Sequence, residues 1–435
     1  MKNRTVKNAA WIIGAKIVQA IANLLITMLT ARVLGPANFG LVEYAMSVAA
    51  FAAPIMHLGI TSILVQELVL HPAQEGELLG SGITACFASG LLSIVGILAF
   101  VSIANRNETE TLIVCGLYSV TLLAQALEII TYWFQAHLLS KYPAVVSLMA
   151  YLVVSAYKAY ILISHKSIYW FALSNAIDYL LISIFLMLCY HRLGGQKMRV
   201  SVQTIKRLMS KGKYYILSGL MIKIFSQTDR VMLKLIIGDE ATGYYAAAVT
   251  CAGMTSFVVV AVIDSARPTI FQSKKDSAVL FEKNMIRLYS VIIYFGLLQS
   301  IGITLFSRII VSIMYGPQYL QTVQALRIVV WYTTFSHLGA VRNIWLLAEG
   351  KQRLIWRIDV SGAAVNVLLN LILIPWIGVN GAAIASLITQ IATNVFVVWL
   401  IKDVRLNIKL MRKSLNPRII IELLKQLQYK ALPRG

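Results

Sequence analysis

The ionisable side chains that stand inside long apolar runs carry most of the chemistry this sequence offers. Lys223, Ser226, Gln227, Arg230 and Lys234 recur at three-, four- and seven-residue spacings, so on a helix they share one face about 100° wide. Lys223 and Arg230 then stand about 10 Å apart along the axis. A second stripe, with Lys16, Gln19, Asn23, Thr27 and Thr30, fills an arc of about 80°. Cations so placed suit an anion: Arg meets phosphate or carboxylate as a planar fork, Lys as a point charge. The acids to set against them are Glu128, Asp178 and Asp229. Asp178, about ten residues into its run, suits a coupling ion or the neutralisation of a neighbour such as Lys223. Asp229 points about 100° away from Arg230, so it serves a local or inter-helix pair as readily as a ligand. His57 and His337 read as packing residues. No P-loop, metal-binding spacing or Ser-His-Asp grouping is present, so neither catalysis nor a bound metal or cofactor is expected. The four cysteines, Cys86, Cys115, Cys189 and Cys251, lie singly in apolar runs and read as packing residues.

The elements that hold these residues are membrane helices. A mean hydropathy of +0.74 with 58% hydrophobic and 13% charged residues excludes a soluble domain, which needs roughly twice that charge. Apolar stretches near the 20-residue length of a span fall at 9–31, 41–64, 83–103, 111–135, 144–163 and 168–190, then at 214–236, 242–266, 288–306, 324–347, 358–376 and 380–401. The first follows Lys2, Arg4 and Lys7 like a signal peptide, yet runs past Ala31 without a small-residue cleavage site, so it reads as a retained helix. Polar stripes mark three more helices: Thr121, Gln125, Glu128, Tyr132 and Gln135; Ser147, Tyr151, Ser155 and Lys158; Asn175 and Asp178. Arg308, Arg327, Arg342 and Asp359 read as boundary anchors.

The net charge of +21 is uneven. With the N-terminus inside, the inner segments hold twenty-eight Lys and Arg against Arg32, Arg106, Lys166 and Arg308 outside, which places both termini in the cytoplasm. The charge therefore signals topology and anionic lipid rather than nucleic acid. The expected organisation is a six-helix lobe (1–190), a basic linker (191–213), a second six-helix lobe (214–402) and a basic tail (403–435), whose Lys and Arg among Ile and Leu suit an amphipathic helix. A shift of 203 residues lays Gly35 and Gly40 on Gly238 and Gly243, Asn23 on Ser226 and Thr27 on Arg230. Six helices per copy makes the repeat parallel, with helices 1 and 7 expected to line one central cavity.

Arg32-Val-Leu-Gly-Pro36 with Phe39-Gly40 and Leu58-Gly59 resembles the N-terminal signature of Wzx-type polysaccharide-export flippases. Asp229-Arg230 with Gly238 and Gly243-Tyr244-Tyr245, and Asn370 to Pro375 with Gly378 and Gly381-Ala382-Ala383, are similar to that family too. The resemblance covers nearly the whole chain. It implies a MATE-like, V-shaped pair of lobes around a central cavity in a bacterial inner membrane, alternating access, coupling to H⁺ or Na⁺, and an undecaprenyl-pyrophosphate-linked oligosaccharide as cargo. Membrane lipids, a polysaccharide polymerase and a chain-length regulator are the other partners considered. On the residues, Lys16, Asn23, Lys223, Gln227, Arg230 and Lys234 are the candidate cargo contacts; Glu128, Asp178 and Asp229 are candidates for coupling or neutrality.

Two other readings compete. A multidrug or organic-cation antiporter wants a cavity rich in acids and aromatics. A membrane-embedded polymerase or acyltransferase wants larger outer loops than these. The charge count makes a direct prediction: a cysteine introduced at Ser201 is protected from an impermeant thiol reagent in intact cells and labelled after permeabilisation. Labelling in intact cells would invert the topology.

Overall fold

The computed structural model describes residues 2–422, with side chains from Val18 onward. Within them the chain is helical. The helix Lys2–Met56 breaks at Gly35, which takes φ 75° and ψ 171°, and so divides into α1 (2–34) and α2 (36–56). Glycine ends one helix there and Pro36, with φ fixed for a first helical turn, starts the next. α3 is Glu75–Ala104, α4 Thr109–Ala136, α5 Lys141–Ile163, α6 Ile168–Arg192 and α7 Val202–Ile236. α8 is the bent pair Asp239–Gly253 and Ser256–Asp276, α9 Ala278–Tyr315, α10 Thr322–Ala348, α11 Arg353–Ile377 and α12 Val379–Leu400. A short amphipathic helix, α13 (Arg405–Lys413), follows. Among the described residues eight segments are long and apolar enough to cross a membrane, nine if the bent pair is one span, with Val18–Met56 counted once. α7 and α10 lie outside that count. α7 opens with Lys206, Arg207, Lys211 and Lys213 and then carries its charged stripe, so it spans only by lying against protein.

Contacts divide the chain into two compact units, residues 1–243 and 244–435. The division falls after α7 rather than in the basic linker, and the reason is an antiparallel pairing of α2 with α7. Ser47 meets Gln227, Pro54 meets Gly219 and Gly59 meets Gly212, in steady register along both helices. At one end a Cβ on Gly59 would come within 2.1 Å of Gly212 O, and Lys211 pairs with buried Glu67 at 2.6 Å. At the other end a Cβ on Gly40 would lie 1.8 Å from Asp239 O, and one on Gly243 would lie 2.0 Å from Pro36 O. The two Gly-x4-Gly corners related by the 203-residue shift therefore pack backbone to backbone.

The linker is tied down as well. Arg199 N donates to Gly76 O at 3.2 Å, Ser201 N to Ser81 Oγ at 2.9 Å, and Tyr190 OH to Gln196 O at 2.6 Å, which straps 193–201 along the start of α3. Ser201 then caps α7 by accepting from Thr204 N.

In the second unit α9 and α10 meet at Gly296, Ser300 and Thr334, with Ser300 Oγ 2.8 Å from Thr334 Oγ1. Arg342 is not a boundary anchor. It is 4% exposed, and its Nη1 donates to Thr393 O at 3.0 Å and Asn394 Oδ1 at 2.8 Å, with Asp359 3.9 Å from Nη2. Its acceptors lie in a π-helical turn, 392–396, that interrupts α12. Such a turn frees a carbonyl from the helical ladder, and the guanidinium takes it up. α13 docks on α9 through Tyr289 OH to Asn407 Oδ1 at 3.0 Å and Ser290 Oγ to Ser414 O at 2.8 Å. The expected amphipathic tail is thus a helix over 405–413; Lys425, Lys430 and Arg434 lie outside the described residues.

Gly40 and Gly243 admit no side chain, so Gly40→Ala and Gly243→Ala should each destabilise the protein by about 3 kcal/mol, the upper end for overpacking. Gly302, where a Cβ would meet nothing within 4 Å, is the matched control. Melting of the purified variants checks this, and equal Tm values for Gly40→Ala and Gly302→Ala would remove the constraint.

Candidate functional site

A cavity of about 700 Å³ opens within the first unit. α4 supplies one wall. Its polar stripe Thr121, Gln125, Glu128, Tyr132 and Gln135 lines the space completely, helped by a 3-10 turn at Glu128–Ile130 that keeps these side chains on one face. α6 adds Asn175, Asp178 and Tyr179; α2 and the turn after it add Met46, His57 and Thr61; α7 adds Tyr215, Gly219 and Lys223. Two acids, one ammonium, one imidazole and several hydroxyls therefore face one space.

Buried polar atoms in this wall lack protein partners. Asp178 Oδ1, His57 Nδ1, Thr121 Oγ1 and Thr131 Oγ1 are enclosed with no hydrogen bond. Groups of this kind need water or a ligand to answer them. Behind the wall, Lys158 Nζ donates to Asn175 Oδ1 at 2.6 Å, and Asn175 Nδ2 to Tyr118 OH at 2.7 Å. The charge of Lys158 acts on Asp178, that of Asp178 acts on Glu128, and that of Lys223 acts on His57.

The sequence-selected residues separate into two groups. Lys223, Glu128 and Asp178 line the cavity. Arg230, Gln227 and Lys234 form a second cluster near the opposite end of α7. Arg230 Nε stands 3.2 Å from Glu43 Oε2, in Coulombic contact but out of hydrogen-bond alignment, while Arg230 Nη1 donates to Gln227 Oε1 at 2.9 Å. Gln227 Oε1 also accepts from Ser47 Oγ at 3.0 Å. The Lys234 side chain is 2% exposed and lies 2.6 Å from Asp239 Oδ2 and 2.7 Å from Glu108 Oε2. Asp229 is buried beside this cluster. On α1, Asn23 is exposed and accepts from Tyr151 OH at 3.3 Å, and none of the described α1 side chains, from Val18 onward, lines this cavity. The Lys16 side chain lies outside the described residues.

Glu43 and Glu108 were missed in the sequence. Each begins an apolar run at a loop, where an acid reads as a boundary residue; only the opposition of helix ends brings it to a cation 120 or more positions away. His57, taken for packing, faces the cavity.

Burial works against ionisation of Glu108, but hydrogen bonds from Lys234, Thr111 and Asn105 and the Lys234 charge outweigh it and hold the carboxyl below the usual range. A depressed carboxyl stabilises the fold above its unfolded value, about 4.3, and that stability is lost as pH falls through the folded value. The Tm advantage of the native protein over Glu108→Gln should therefore be full at pH 7 and shrink below about pH 4.3. A gap that stays constant between pH 7 and pH 3 would mean the pair is not formed.

Comparison with known proteins places this geometry. Residues 5–274 match the family described as polysaccharide biosynthesis protein. An uncharacterised membrane protein of Methanocaldococcus jannaschii is 25% identical over 274 residues, 59% of this chain, and the match spans 53% of that relative. Among solved structures, the lipid II flippase MurJ in an inward closed conformation superposes with a TM-score of 0.74 at 14% identity, covering 95% of this chain and 92% of that one. An inward-facing MATE-family multidrug resistance transporter of the MOP superfamily gives 0.66 at 14% identity over 91% and 96%. The fold is the one those transporters share, and because the match runs through all of α1 to α7 and most of α8, where the cavity and the paired charges lie, the chain belongs to the polysaccharide biosynthesis protein family.

Proposed function

We propose that the chain carries a lipid-linked oligosaccharide with an anionic pyrophosphate across the cytoplasmic membrane of a bacterium by alternating access, coupled to an ion. The observation that carries this reading is the placing of Lys223. It faces the cavity and has no ion pair among the described residues, whereas Arg230 and Lys234 are each held by carboxylates. An unanswered ammonium beside enclosed polar atoms suits a phosphate. About 700 Å³ is the size of a small-molecule site, which fits a charged headgroup whose polyprenyl tail stays in lipid. With the basic start of α7, and the end of α2 packed against it, in the cytoplasm, this cavity belongs to the cytoplasmic half of the first unit. The cluster of Glu43, Arg230, Lys234, Glu108 and Asp239, with the Gly40 and Gly243 contact, then closes the far half.

Asp178 is the proposed coupling group, with Glu128 beside it. Arg230, Gln227, Lys234, Asp229, Asn23 and Lys16 take a cargo role only in a state where the far cluster opens, and the pairing of Arg230 and Lys234 makes these two latch residues first.

A second reading has its own support. Glu128 and Asp178 with Tyr132, Tyr179 and Tyr215 make the acidic, aromatic wall that an organic-cation antiporter would use. Two variants separate them. If the cargo is anionic, Lys223→Ala and Asp178→Asn made at normal abundance should each cut surface polysaccharide at least tenfold and accumulate lipid-linked precursor, with dye and drug resistance unchanged. Full polysaccharide output from both variants would exclude this cavity from cargo transport, and loss of cation resistance alone would favour the antiporter.

A further inference from the structure

A separate cavity of about 300 Å³ lies in the second unit, among α9, α10, α12 and α13. Ile293, Phe335, Leu338, Val395 and Met411 form its walls, and Arg412 stands at its rim. We propose that this groove holds one acyl chain of an anionic phospholipid, with the headgroup phosphate on Arg412.

Three features lead there. The walls are hydrocarbon, so the cavity has nothing to offer a polar solute and suits an alkyl chain. The Arg412 guanidinium is exposed and has no ion pair among the described residues, while its neighbour Lys413 is 3.9 Å from Glu282 and Arg405 Nε is bonded to Trp399 O at 3.1 Å. The basic helix α13 is therefore not simply a solvated charge run: its apolar side is docked on α9, and one cation is left over the mouth of an apolar groove. Finally, Val395 belongs to the π-helical turn of α12, whose wider coil shapes this wall and is fixed from behind by buried Arg342. An apolar slot ending in an uncommitted guanidinium matches a lipid with a phosphate at the end of its chains. It also lies beside the basic tail, where the cytoplasmic leaflet supplies anionic headgroups. That last step rests on the cytoplasmic placing of the tail given above; the groove and its rim do not.

Native mass spectrometry of the detergent-purified full chain, titrated with phosphatidylglycerol and with phosphatidylethanolamine of the same acyl chains, tests the site without any cargo. The native protein is expected to retain one phosphatidylglycerol about tenfold more tightly than phosphatidylethanolamine, because the ammonium of phosphatidylethanolamine offsets the phosphate charge that Arg412 meets, whereas phosphatidylglycerol keeps its net negative charge. Arg412→Gln, at an exposed position, should abolish that preference while leaving the Tm unchanged. Val395→Phe, which fills the groove, should weaken both lipids. Equal binding of the two lipids by the native protein, or an unchanged preference in Arg412→Gln, overturns the proposal. So does a signal seen only with undecaprenyl phosphate, or one that emerges only when 423–435 are deleted, since the groove would then serve cargo or the chain's own tail. Loss of transport in the cavity variants, or its absence altogether, leaves these readings untouched.

Discussion

A charge inside hydrocarbon has no water to turn to, so each one in this chain must be answered by the chain itself or by something it binds. That requirement organises the first unit. Lys234 is enclosed and has two carboxylates; Arg230 has Glu43 and Gln227; Lys158 has Asn175. Desolvating such ions costs several kcal/mol each, so pairs of this kind add little net stability but are expensive to break. They hold α2, the α3–α4 connection, α7 and the start of α8 in one arrangement and tie α5 to α6. Among the described residues of this unit, Asp178 and Lys223, which have no ion pair, converge on the cavity together with the unpartnered His57 Nδ1.

Glycine makes the same arrangement possible by another route. Ion pairs across two helices need the helices close, and α2 and α7 approach until backbone touches backbone at Gly40 and Gly243 and again at Gly59 and Gly212. Three of the surrounding residues, Gly35, Gly59 and Gly238, take φ values of 75°, 66° and 132° that other residues avoid. The corners that look like a weak sequence repeat are thus the two halves of a single contact. Their recurrence 203 positions apart meets a need to pack against each other.

Much of this was legible before any coordinates. Membrane residence, the helix order and the α4 stripe follow from local patterns of period 3.6, and all five α4 residues picked by phase line the cavity. The faces of α1 and α7 were read by the same arithmetic with a different result. Phase tells which residues share a face but not what that face meets, and on α7 one stripe serves two environments: Lys223 meets open space, and Arg230 and Lys234 meet acids. The partners Glu43 and Glu108 were invisible because pairing across helix ends leaves no periodic trace. Arg342 was misjudged for a related reason. Its position near a helix end suggested snorkelling, and only the π-helical turn of α12, which no simple spacing announces, explains why it is buried.

The mixed charge of the cavity has a consequence for how cargo and a coupling ion would act on each other. Lys223 and His57 share one space with Glu128 and Asp178, and Lys158 acts on Asp178 from behind. In a low-dielectric wall a proton or cation taken up by either acid makes the space more positive, and an anionic pyrophosphate entering near Lys223 makes it more negative. Under the proposed function each event therefore favours the other, and linkage requires that the favour be mutual and equal in free energy. An organic cation in the same space reverses the sign, because it competes with the proton for the same carboxylates. The direction in which a proton and the cargo influence each other's binding thus follows from the cargo's charge, with the protein unchanged.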